Sequence, residues 1–185
     1  MITEEIKEKN FEIYIKKLGE IGIDLGTLKG LNLKDASFTN SNEHGNAYPG
    51  SLLEIVLRVL TPYAIKLNEL LPETMRVDKN TLVKVCLLHH IAKAVRLVPN
   101  DNQWEIEKRQ LVYKYAENQP SIRTGLHSLI LAQQAGVTFT PEEAEVMTIN
   151  DRDLTDDQAR WHSSVMATIV REANELTYIQ INNNE

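Results

Sequence analysis

His89 and His90 stand side by side at the end of an apolar run, with Lys93 three residues further on. Imidazole nitrogens suit zinc and the late first-row metals, and neighbouring helical positions diverge by about 100°. The pair could supply part of a metal centre that needs three or four ligands. Two hydrogen-bonded pocket residues are the plainer alternative. Lys93 could meet a phosphate as a point charge, or sit solvated on its helix. His44 lies in a long polar loop with Asn46 and Tyr48, where it could hold the loop by a hydrogen bond. His127 shares a helix start with Thr124 and Ser128. Cys86, the one cysteine, lies within the apolar run and reads as a small buried hydrophobe rather than a nucleophile.

The elements that must position these groups are almost all helical. Ile6, Phe11, Tyr14, Ile15 and Leu18 make one apolar stripe, predicting a helix over about 4–20 that ends at Gly19 and Gly22. Ser51…Glu54, Thr140…Glu143 and Thr155…Gln158 each place a hydroxyl three residues before Glu or Gln, as a capping box requires. Helices are therefore expected from about 52 to 71, 142 to 149 and 156 to 179. An Asp78/Asn80 cap predicts another over 80–97, carrying His89 and His90, and a further one runs from 125 to 135. Residues 26–50 are small, polar and turn-prone, which predicts a structured loop. Between 103 and 116 the alternation of Leu111, Tyr113 and Tyr115 suits a small hairpin, with a helix as the alternative.

The chain has 185 residues, 42% of them hydrophobic, enough for one well-buried core. The expected architecture is a single all-α domain over 1–185, with the helix in 1–25 packed on the rest. A formal charge of −6 without a basic block argues against nucleic-acid binding. No window approaches the roughly 18 apolar residues of a membrane span, so a cytoplasmic protein is expected.

The stretch Leu87-Leu88-His89-His90-Ile91-Ala92-Lys93 resembles the Leu-Leu-His-Asp-Ile-(Gly/Ala)-Lys signature of the HD-domain metal-dependent phosphohydrolases, with His90 in place of Asp. Ala36-Ser37-Phe38-Thr39 and Glu43 to Glu54 are similar to the segment that precedes the first metal-binding His in one HD branch. Its pattern reads Pro-Ala-Ser, then His-Gly-(Asn/Ala)-Tyr-x-Gly-Gly-Leu-Leu-Glu-His, and Ile55 stands at the closing His. Arg123 to Ser128 resembles the branch's Gly-His-Gly-Glu-Lys-Ser turn, with Thr124 at the His and His127 at the Lys. Thr140 to Asn150 looks like its Thr-(Asp/Pro)-Glu-Glu-Ala helix, with Asn150 at the final His. Arg171 to Leu176 resembles the (His/Leu)-x-Ala-Asp-x-(Leu/Ile) motif, with Asn174 at the terminal metal Asp. The resemblance covers roughly residues 36–178.

The resemblance implies an HD-like helical bundle whose former metal pocket comprises Ile55, His89, His90, Asn150 and Asn174. One core ligand of four, His89, survives. Hard divalent ions prefer carboxylates, and both carboxylates of the set are gone. Asn174 keeps the shape of Asp without its charge. His162 precedes Asn174 by about 18 Å of helix and cannot join it directly. Asp151 and Asp153 are the nearest replacement carboxylates, or turn formers. Two functions follow. The first is a degenerate phosphohydrolase-like domain that binds a nucleotide or another phosphorylated small molecule, with no cofactor and with His44, Tyr48, Lys93, Thr124 and His127 as further pocket residues. The second is an active phosphomonoester or phosphodiester hydrolase with Zn, Mn, Fe or Ni on His89 and His90. Assembly into an oligomer is compatible with either.

Overall fold

In the computed structural model, residues 2–24, 28–149 and 163–183 are described. Helix α1 (Glu4–Glu20) starts on Thr3, whose hydroxyl accepts from the Ile6 amide, and carries Glu4 and Glu5 in its first turn where the helix dipole favours them. Tyr14 and Leu18 on its inner face are fully buried. Each such side chain contributes about 1.5–3 kcal/mol on leaving water. The Tyr14 hydroxyl donates to the Leu87 carbonyl, fixing α1 to the helix that leads to the histidines.

The helix expected over 52–71 is present but uneven. Helices α2 (Ser51–Ile55) and α3 (Thr61–Leu70) are joined through a π-helical turn over Val56–Leu60. Pro62 gives the physical reason: it has no amide hydrogen and its ring crowds the carbonyl four residues back, so the helix widens before it. The expected Ser51 capping box is not formed. Gly50, at φ 87°, takes the cap position, and the Ser51 hydroxyl instead accepts from the Phe38 amide at 2.9 Å. That bond draws the 26–50 loop onto the start of α2.

Helix α4 (Lys79–Leu88) is capped by Asp78, which accepts from the Thr81 amide. The single helix expected over 80–97 is interrupted: residues 89–92 turn, and α5 (Lys93–Arg96) resumes for one turn. At the break the Ala92 amide donates to the buried Ser128 hydroxyl, a partner from outside the segment that a helical hydrogen-bond ladder would not use. The 103–116 region divides between both expectations. Strands β1 (Leu97–Pro99) and β2 (Tyr113–Tyr115) pair antiparallel, with Leu97 opposite Tyr115, and the short helix α6 (Gln103–Arg109) lies between them. The 38–42 segment runs beside this hairpin, the Asn40 carbonyl accepting from the Tyr113 amide at 3.1 Å.

Helices α7 (Thr124–Gln134), α8 (Pro141–Thr148) and α9 (Val165–Asn182) complete the described chain. The Thr140–Glu143 capping box forms as expected. The Thr155 box lies outside the described residues, as do Asn150, Asp151, Asp153 and His162. Helix α9 packs along α3 and α8. Among the described residues the fold is all-α with one small two-stranded sheet, and no helix there is long and apolar enough to cross a membrane.

Candidate functional site

The α4–α5 break places His89 and His90 against α9 and the 38–40 segment. Around them opens a cavity of about 370 Å³, walled by that segment, α5, the hairpin, the first turn of α7 and one face of α9. His90 Nε2 lies 2.9 Å from Asn174 Oδ1. A carbonyl oxygen only accepts, so Nε2 carries the proton. The His90 ring meets Phe38 edge-on at 5.0 Å between centroids and His89 at 4.6 Å. Burial, reinforced by the Lys93 ammonium, holds His89 down at about 4. Burial likewise keeps His90 well below its ordinary range, with Lys93 and His89 adding to the effect and the Asn174 bond opposing it. Both rings are therefore neutral at pH 7.

Lys93 is not solvated on its helix. Its ammonium donates to the Phe38 carbonyl at 2.8 Å and to the Tyr178 hydroxyl at 3.0 Å, and it sits 3.6 Å from the Phe38 ring centroid. Three walls are tied through that one cation, and for a side chain only partly buried such a cation–π contact is worth about 0.5–1 kcal/mol. Arg96, one turn further along α5, also lines the cavity, and no Asp or Glu does so among the described residues. With neutral histidines the lining carries two positive charges in a chain of formal charge −6. Thr124 and Gly125 add the first turn of α7, the positive end of its dipole.

Of the residues singled out in the sequence, the fold brings together His89, His90, Lys93, Thr124 and Asn174. Ile55 does not line the cavity; it packs in the apolar core, 4% exposed. His44 is exposed on its loop, away from the lining. Tyr48 turns its hydroxyl to Glu54 at 2.9 Å instead of the cavity. His127 is buried behind the lining, with Nδ1 lacking a hydrogen-bond partner, and burial and then Arg96 lower its pKa.

The chain matches no family model, no curated protein and no solved structure.

The site's own chemistry therefore has to speak for it. Two neutral imidazoles and an amide, beside an ammonium, do not fit Mg²⁺ or Mn²⁺, which want charged oxygen ligands. A tetrahedral zinc site needs three or four convergent donors, and no three His, Cys, Asp or Glu side chains converge among the described residues. His90 has also committed Nε2 to Asn174. What the lining does fit is an anion, held by cations, amide and hydroxyl groups against aromatic walls. Cys86 takes no part; it is fully buried in α4, where desolvation pushes its thiol up to about 12.

Sequence reasoning did not reach Arg96, Tyr115, Phe38 or Tyr178. Two signals were there to be read: Arg96 follows Lys93 by one turn, and Tyr178 follows Asn174 by one turn, so each shares a helix face with a residue already noted.

Proposed function

We propose that this chain is an HD-type helical domain that has given up metal-dependent hydrolysis and binds a phosphorylated small molecule in the former metal pocket. The observation that carries the reading is the direct His90–Asn174 hydrogen bond beneath a cavity lined by two cations and, among the described residues, by no carboxylate. By resemblance these two residues occupy the positions of two metal-binding carboxylates. Here they satisfy each other, and the positive charge that a cation would bring is already supplied by Lys93 and Arg96. A phosphate dianion is complementary to such a lining, and the roughly 370 Å³ available is within the usual range for a small-molecule site.

The test is calorimetric titration of chelator-treated protein with AMP and with inorganic phosphate, beside elemental analysis after dialysis against Mn²⁺, Fe²⁺, Ni²⁺ and Zn²⁺. Binding that EDTA leaves unchanged supports the reading. One retained equivalent of metal together with metal-dependent turnover of p-nitrophenyl phosphate overturns it.

A further inference from the structure

Among the described residues, Arg96 is the cavity-lining cation that has a buried donor without a partner. Its Nη1 donates to the Ile122 carbonyl at 2.5 Å, while Nε is buried without a hydrogen-bond partner. Nε is shielded from solvent, so an acceptor in the cavity that Arg96 lines would be met by the other donors of its five-donor guanidinium fork. Lys93, by contrast, already spends two of its three hydrogens on Phe38 and Tyr178. The Arg96 guanidinium also lies 5.9 Å from the ring centroid of Tyr115. Tyr115 lines the cavity yet is 63% exposed as a residue, which leaves much of it open for contact.

We infer that Arg96 is the oxyanion-binding residue of the cavity and that Tyr115 is a platform for a planar group on the same ligand, making the preferred ligand an aryl-type phosphate monoester. The inference deepens the phosphorylated-ligand reading and rests on it. Lys93 then acts as a brace that holds Phe38 and Tyr178 in place, while Arg96 makes the charge-assisted contact. Both residues of the pair are positioned by one local feature: Leu97, next to Arg96, pairs across the hairpin with Tyr115, and the Arg96 carbonyl accepts from the Ala116 amide at 2.8 Å.

The experiment is titration of the full chain, wild type and variants, with phenyl phosphate, inorganic phosphate and benzoate. Phenyl phosphate should bind tightest in the wild type. Arg96→Lys keeps the charge but loses the fork, and should weaken both phosphates about tenfold, the loss of one charge-assisted bond. Tyr115→Ala should bring phenyl phosphate to the level of inorganic phosphate and leave the latter unchanged. Phosphate binding within twofold of wild type in folded Arg96→Lys overturns the inference while leaving the phosphorylated-ligand reading standing. Benzoate binding tighter than phenyl phosphate also overturns it, in favour of a carboxylate ligand. No binding of any probe sinks both. Should the variants misfold, the Arg96 Nε–H resonance of wild-type protein decides: movement on adding phosphate supports the assignment, and an unmoved resonance at saturation overturns it.

Discussion

His90 donates through Nε2 to Asn174 Oδ1 at 2.9 Å, joining the α4–α5 break to the middle of α9 across 84 residues of sequence. Both groups are buried, so neither has bulk water as a substitute. Asn174→Ala strands the His90 N–H and should cost about 1–3 kcal/mol of folding free energy, read as a lower urea midpoint with unchanged slope. Asn174→Asp should cost less, since a carboxylate still accepts and would raise the His90 pKa by stabilising the imidazolium. Equal stability of wild type and Asn174→Ala would show that the bond contributes nothing.

Stability should fall on mild acidification. His89 is depressed to about 4 and His90 well below its ordinary 6.5, so the unfolded chain binds more protons than the native one once the pH drops below about 6.5. The contribution is complete above that value and is lost progressively as pH falls toward 4. Each histidine adds a slope of up to about 1.4 kcal/mol per pH unit in that window. Urea titrations between pH 7.5 and 5 check this, and His90→Gln should flatten the dependence. A curve as steep in the variant as in the wild type would remove His90 from the account.

Introducing the ligands that the HD resemblance would require tests the proposed mapping. Ile55→His, His90→Asp and Asn174→Asp together put a polar ring into the apolar core and two carboxylates beside each other, so the metal-free variant should be less stable than the parent. Mn²⁺ should raise its Tm and leave that of the wild type in place. A folded triple variant that ignores Mn²⁺ would show the mapping to be wrong.

Gly50 sits where the long loop enters α2, at φ 87°, and a Cβ there would lie 2.7 Å from the Lys7 side chain. Gly50→Ala should cost about 1–2 kcal/mol for the left-handed backbone alone. Displacing Lys7, which is paired with Asp35 at 2.7 Å, adds to this. Because the same loop carries Phe38 to the cavity wall, ligand affinity should fall along with stability in urea and binding titrations.

Hydrophobic periodicity and capping chemistry were enough to place α1, α4, α7 and α8 to within a residue or two at one or both ends, because those signals act over three or four residues of chain. Thr140 with Glu143, and Asp78 with Thr81, close their bonds locally and so can be read locally. Ser51 carries the same local pattern, yet its hydroxyl goes to the Phe38 amide, a partner 13 residues away that only packing brings near. The break after Leu88 likewise depends on Ser128, 36 residues from the amide it accepts. The candidate site divides in the same way. In the sequence the His89-His90-Lys93 cluster stood out by residue type, and Asn174 only through its resemblance to the HD motif. Which side chains meet was decided by the tertiary structure: Asn174 against His90, Phe38 and Tyr178 around Lys93, Tyr115 over Arg96, with Ile55, His44, Tyr48 and His127 left off the lining. A side chain's chemistry is written in its residue type, but its partners are set by how helices far apart in sequence pack and by which buried polar groups must satisfy one another.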